Sequence, residues 1–193
     1  MERWRVALGL LGDAAAEVSW RYAAFELDPN VPSEGVDAHA YMAGKYPTAM
    51  IEEMHERLAD IARREGLPFG AQPVRPNTFD AHRLLSAALK HGVALQQALA
   101  DELFAAHWSR GQNVGLGAVL AAAAAAVGVP AAGVDAALNS DDCAAAVRDE
   151  ERLASDLGIH AVPTFVIADR LMVSGAQSPQ VLADAVRQAS GAD

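Results

Sequence analysis

Apolar residues recur at helical spacing along most of this chain and alternate with polar ones in one stretch near the start. Residues 2–11 carry Trp4, Leu8 and Leu11 on one face, widened by Val6 and Leu10, which predicts a helix. Over Glu17–Phe25, Val18, Trp20 and Tyr22 alternate with Ser19 and Arg21, the period of a strand. Glu26–Gly35 holds Asp28-Pro29 and Val31-Pro32-Ser33 and reads as a loop. Val36–Tyr46 predicts a short helix. Thr48–Glu65 predicts a longer one, with Thr48 as cap and Met50, Ile51, Met54, Leu58 and Ile61 as one stripe, stopped by Gly66 and Pro68.

Further helices follow. Asn77 reads as an N-cap, with Asp80 near the positive helix end and Phe79, Leu84, Leu85, Ala88 and Leu89 periodic up to Gly92. Leu95, Leu99, Leu103, Phe104 and Trp108 mark another helix, ending near Gly111. Leu116–Val127 and Ala131–Leu138 are separated by Gly128 and Pro130, and Ser140 is placed to cap a helix running to Leu157. The pattern then changes. Thr164–Ala168 is a continuous apolar run, predicting a buried strand. Asp169-Arg170 reads as a tight connection, Leu171–Ser174 as a second strand, and Pro179 as the first turn of a last helix carrying Val181, Leu182, Ala185, Val186 and Ala189. No repeat or separating linker interrupts this order.

Composition narrows the classes. Of 193 residues, 52% are hydrophobic and 21% charged, which suits a folded chain rather than a disordered one. A net charge of −10 without a basic run argues against nucleic-acid or anionic-membrane binding. The most apolar run, Gly117 to Val129, is well short of the ~20 residues that span a bilayer, and residues 1–12 do not form a secretory signal. A lone cysteine, Cys143, excludes an internal disulfide framework, and the expected location is cytoplasmic.

Candidate chemistry is sparse. Pro163 opens the apolar run, where proline, lacking an N–H, is confined to a strand's first position, an edge or a bulge. Cys143 reads as a buried or incidental thiol. His82 lies one turn after Phe79 and reads as structural. His39, His55, His91, His107 and His160 are scattered without metal-ligand spacing, so no metal site is expected. Glu52-Glu53 and Glu150-Glu151 are adjacent on helices, point apart, and are expected to face solvent. Trp20, Tyr22, Phe25, Met50 and Met54 are expected in the core. Gly111 to Gly117 has glycines but not the spacing of a phosphate loop.

Several segments carry a family resemblance. Phe25-Glu26-Leu27-Asp28-Pro29, Asn77-Thr78 with Ala81-His82-Arg83-Leu84, Glu102-Leu103-Phe104 with Gly111, Gly158-Ile159 through Val162-Pro163-Thr164-Phe165-Val166, and Ser174-Gly175-Ala176-Gln177 stand in the order of the DsbA family. In that order the chain resembles DsbA-family thioredoxin-fold oxidoreductases of the FrnE-like branch. The resemblance implies an α/β thioredoxin-like fold with a large all-helical insertion. Residues 1–35 and 158–193 would form the thioredoxin-like part and residues 36–157 the insertion, which overhangs the active site. It also implies a cis peptide at Pro163. A cis bond exposes the Val162 backbone as an edge to which a peptide or glutathione adds by strand-like pairing.

The family begins with a strand and then a Cys-x-x-Cys at the start of the first helix. Met1 falls within what resembles that helix, so the first, central strand and the redox pair are missing from this chain. Three expectations follow. A segment lies upstream, or Glu17–Phe25 pairs differently, or a second copy fills the gap. The resemblance implies a thiol-disulfide oxidoreductase acting on protein or small-molecule thiols and disulfides, with no catalytic residue identifiable in this chain. The implied substrate-binding residues are Val162, Pro163, Asn77 and His82. No cofactor or metal is implied, glutathione is a candidate substrate, and a homodimer is compatible with the reading. The alternatives are a glutathione-dependent enzyme similar to kappa-class transferases and 2-hydroxychromene-2-carboxylate isomerases, or a non-catalytic binding module.

Overall fold

A computed structural model describes residues 1–191. Helices α1 (Glu2–Leu10), α2 (Ala38–Ala43), α3 (Thr48–Arg64), α4 (Phe79–Leu89), α5 (Val93–Phe104), α6 (Gly117–Val127), α7 (Ala131–Asn139), α8 (Ala144–Asp156) and α9 (Pro179–Ser190) dominate. Strands β1 (Val36–Asp37) and β2 (Val74–Arg75) form one antiparallel pair, and β3 (Thr164–Ile167) and β4 (Leu171–Ser174) another. The described residues divide into two compact units, residues 1–20 with 153–191 and residues 21–152.

The first unit is built around Trp4 on α1. Its indole meets Trp20 edge-on at 6.1 Å between ring centroids and Phe165 of β3 at 5.3 Å. Leu182, Ala183 and Val186 of α9 close this core. The α9 face is apolar every three to four residues, its first turn carries Pro179, and the Val181 N–H donates to the Ser178 hydroxyl oxygen at 3.3 Å. The Arg187 guanidinium donates to the Leu10 carbonyl at 2.7 Å, joining the end of α1 to α9.

The β3–β4 connection sits one residue earlier than the sequence predicts. Ala168 and Asp169 both take positive φ, +52° and +53°, and the Arg170 N–H donates to Ile167 O at 3.1 Å. That is the mirror-image turn that matches strand twist. Ile167 then pairs with Leu171, so Arg170 is an extra residue in the loop. The strand is also only half-buried, because it has one neighbour among the described residues and Val166 is exposed.

In the second unit, α4, α5, α6 and α7 pack through Leu84, Leu99 and Leu120 and a set of buried alanines, including Ala88, Ala124 and Ala137. Cys143, 1% exposed, belongs to this core. Helix α5 continues as a π-helical turn, Ala105–Ser109. Several expected boundaries move. Thr78 stands at the α4 N-cap, although the Asn77 side chain accepts the Phe79 N–H at 2.9 Å and so satisfies the first turn from one position earlier. Ser140 donates to Ala136 O at the end of α7 instead of capping α8. Pro47 stands at the α3 N-cap, so Thr48 is inside the helix. Residues 36 and 37 form β1, and the Asp37 carboxylate caps a shorter α2 by accepting the Ala40 N–H at 2.7 Å.

Two corrections matter more. Met50 and Met54 are exposed on α3, not in the core. And Glu17–Phe25 is not a strand. Residues 12–17 form a 3-10 turn, and residues 18–25 form neither helix nor strand and have no ladder partner among the described residues. Alternation reports an extended chain with two unlike faces, not a neighbour to pair with. From Arg21 onward the partners are side chains. The Gln96 amide, 2% exposed, accepts the Tyr22 N–H and donates to the Tyr22 carbonyl, both at 3.0 Å. Glu150 accepts the Ala24 N–H at 2.6 Å and pairs with Arg21 at 2.5 Å.

Glu150 and Glu151 therefore do not simply face solvent. Arg148 lies 3.0 Å from Glu26 and 2.7 Å from Glu151, and its guanidinium sits 4.0 Å from the Phe79 ring centroid. The Glu26 side chain is 2% exposed, and one oxygen each of Glu26 and Glu151 is buried without a hydrogen-bond partner. Burial, and then the Glu151 carboxylate, push the Glu26 carboxyl up from its ordinary 4.5, with Arg148 opposing.

Replacing Ala168-Asp169 by Asn-Gly should stabilise the hairpin. A left-handed alanine costs about 1–2 kcal/mol, and Asn-Gly is the preferred pair for this turn. We expect Ala168→Asn with Asp169→Gly to gain about 1 kcal/mol, read as a rise of ~2–4 °C in thermal midpoint. An unchanged or lower midpoint would count against the turn assignment. For Glu26, a folded pKa above the free value means its contribution is complete below about pH 4.5 and is lost as pH rises through the raised value. Glu26→Gln, neutral throughout, should flatten that part of the profile. Urea midpoints for both proteins between about pH 4 and pH 7.5 test it, and parallel profiles would refute it.

Candidate functional site

Pro163 stands just before β3, where its carbonyl and not its missing N–H is used: Pro163 O accepts the N–H of Gly175, just after β4, at 2.8 Å. The Val162–Pro163 peptide bond is cis. Thr164 Oγ1 donates to Ala161 O at 2.8 Å and ties the turn on which Val162 sits. Hydrogen-bonded and non-bonded pairs alternate along an antiparallel ladder. Since Pro163 bonds Gly175, the next bonded position is Phe165 opposite Val173. The backbone groups of Thr164 and Val166 therefore point to the other edge of β3, in line with Val162. Among the described residues that edge has no ladder partner, and no hydrogen bond engages the backbone of Val162. The Val162 side chain is exposed.

This edge can do one thing chemically without help, which is to add an extended chain by main-chain pairing. It carries no nucleophile. Cys143, the one cysteine of the chain, belongs to the other unit and is enclosed in the helical core.

Asn77 and His82 belong to the second unit, and Val162 and Pro163 to the first. The Asn77 amide is engaged at both ends: its nitrogen donates to Val31 O at 2.7 Å and its oxygen accepts the Phe79 N–H at 2.9 Å. His82 Nε2 lies 3.2 Å from Phe25 O, an arrangement that places the proton on Nε2. Burial holds the His82 imidazole below its ordinary 6.5, against the Phe25 hydrogen bond and the charges of Glu151 and Glu150. A neutral ring donating to a carbonyl is a structural arrangement. The cavity beside it, lined by Tyr22, Ser86, Gln96 and Glu150 among others, is about 20 Å³, room for one water and not for a tripeptide. A larger groove of about 520 Å³ runs along α6 and α7, and neither Asn77 nor His82 lines it.

The residues that sequence reasoning missed are Gln96, Glu26 and Arg148. Each makes its decisive contact with a residue more than 70 positions away, so no local pattern marks it. Among the described residues no three His, Cys, Asp or Glu side chains gather as a metal site, and no helix is long and apolar enough to cross a membrane.

No curated protein sequence matches the chain. Among solved structures, it is similar to a probable DsbA oxidoreductase from Streptomyces coelicolor, with a TM-score of 0.89, 28% identity, and coverage of 98% of this chain and 82% of that one. It shares its fold with a 2-hydroxychromene-2-carboxylate isomerase at a TM-score of 0.61 and 16% identity, covering 100% of this chain and 95% of that one. The family model for the DSBA-like thioredoxin domain matches residues 6–187, and so nearly all of this chain, its Val162–Ile167 edge included, belongs to the DSBA-like thioredoxin family.

Proposed function

We propose that this protein is a DsbA-type thiol-disulfide oxidoreductase of the FrnE-like branch, working in the cytoplasm on thiols and disulfides of proteins or small molecules such as glutathione. The observation that carries this reading is the open edge of β3 at Val162, Thr164 and Val166 in a chain whose family is settled over residues 6–187. An edge of this kind holds an extended peptide, or the peptide-like backbone of glutathione, in register by main-chain hydrogen bonds. The chemistry of such an enzyme is attack by a thiolate on one sulfur of a disulfide. The other sulfur leaves as a thiolate, and the mixed disulfide is resolved by a second thiol. Cys143 does not fit the attacking role, because a nucleophilic thiolate needs access and Cys143 is enclosed among helices. The reading therefore requires a thiol other than Cys143.

A second reading is favoured by that same cysteine. If no other thiol serves the site, the edge remains a place for binding without turnover. The two readings separate in one experiment. The 193-residue chain should not accelerate reduction of insulin by dithiothreitol. The protein purified from its own host, with its intact mass measured, should accelerate it at least tenfold. No acceleration by the host protein would overturn the oxidoreductase and leave the binding module. Acceleration by the 193-residue chain that Cys143→Ser abolishes would overturn the assignment of Cys143 as a core thiol.

A further inference from the structure

The charges around Glu26 do not balance. Its contacts bring together three carboxylates, Glu26, Glu150 and Glu151, and two guanidiniums, Arg21 and Arg148. Arg21 pairs with Glu150, whose other oxygen takes the Ala24 N–H. That leaves Arg148 to two carboxylates. A single nitrogen, its Nη1, donates to both, reaching Oε2 of Glu26 at 3.0 Å and Oε2 of Glu151 at 2.7 Å. The Arg148 side chain is 49% exposed, so water screens part of its charge, whereas Glu26 and Glu151 are 2% and 18% exposed.

The second oxygen of each carboxyl, Oε1 of Glu26 and Oε1 of Glu151, is buried and meets no donor. An ionised carboxylate only accepts, so two of them side by side cannot satisfy one another. One proton changes this, because a carboxylic acid donates its O–H to a neighbouring carboxylate in a short, charge-assisted bond. Glu26 is the better holder of that proton. It is the more deeply buried of the two and lies farther from Arg148. Glu151 also acts on it both as a hydrogen-bond partner and as a like charge. His82 faces Glu150 and Glu151 from α4, but burial disfavours its charged form and its Nε2 already meets Phe25 O. The Phe79 ring, 4.0 Å from the Arg148 guanidinium, offers no donor to a carboxylate.

We propose that Glu26 and Glu151 form a proton-dependent clasp between residues 21–31 and α8, in which Glu26 as the neutral acid donates to the Glu151 carboxylate and loss of that proton loosens the segment. No covalent bond other than the O–H changes, and the proton passes to water. Its departure leaves two buried charges side by side with one half-exposed guanidinium for both. The contacts next to Glu26 in the chain, Ala24 N–H with Glu150 and Phe25 O with His82, are the ones that open. Because the carboxyl is raised from its ordinary 4.5, the clasp is complete below that value and is lost as pH rises through the raised one.

Carbon-13 NMR of the glutamate carboxyls and amide hydrogen exchange at Ala24, between about pH 4 and pH 8, test the clasp on the 193-residue chain. We expect the Glu26 midpoint to lie above 4.5 in the unaltered chain. It should fall by about one unit or more in Glu151→Gln, which removes the like charge and supplies a donor. Exchange at Ala24, corrected for intrinsic base catalysis, should quicken about tenfold across that midpoint and stay level in Glu26→Gln, where an amide N–H stands in for the acid. A Glu26 midpoint at or below 4.5, a midpoint that Glu151→Gln leaves in place, or Ala24 exchange with one pH course in both the unaltered chain and Glu26→Gln would each overturn the proposal. The first of these readings needs no variant, so it decides even where a substitution prevents folding.

Discussion

Backbone outside helix and ladder must satisfy its polar groups, and over residues 21–31 it does so largely with side chains in place of a neighbouring strand. The Gln96 amide offers one acceptor and one donor to Tyr22, the same pair a facing strand residue would offer. Glu150 takes the Ala24 N–H, His82 meets Phe25 O, and Asn77 donates to Val31 O. These four side chains come from α4, the position two residues before it, α5 and α8, so the segment binds the helical unit together as it passes. A buried peptide group left unpaired costs roughly 1–3 kcal/mol, which is why polar residues hold positions inside an otherwise alanine-rich and leucine-rich unit.

The same accounting has the opposite outcome at β3. There Pro163 and Phe165 are used by β4, and the alternate groups are left at an edge. The segment over residues 21–31 is closed by side chains and carries no ligand chemistry. The other is open and can take one. His82 and Asn77 illustrate the difference: both carry hydrogen-bonding groups suited to a substrate, and in both those groups are already committed to backbone.

Much of the fold was legible from periodicity. The helices from α4 to α9 and the β3–β4 hairpin follow from apolar spacing and from Gly128, Pro130, Ser178 and Pro179 as punctuation. The cis peptide at Pro163 was legible only through resemblance, since an apolar run after proline has many other uses. Glu17–Phe25 was misread because alternation encodes an extended chain and is silent about its partner. The Met50–Met54 stripe was misread because an amphipathic pattern states which face avoids water without stating what covers it. Glu26 and Glu150 became informative only through Arg148, Ala24 and Arg21, contacts across more than 120 positions in sequence.

The alanines of the helical core have an effect of their own. Ala88, Ala124 and Ala137 are fully enclosed, each on a different helix, in one cluster with Leu84, Leu99 and Leu120. A leucine core can be trimmed or reshaped, leaving a hole that neighbours partly fill. An enclosed alanine has no such slack, because nearly every replacement adds volume to a filled core, at roughly 1–3 kcal/mol. Glycine, the one smaller choice, loosens the helix itself. Sequence drift in this half of the molecule is therefore confined to its outer faces, while the positions that look least demanding, a run of alanines, are the ones with least freedom to change.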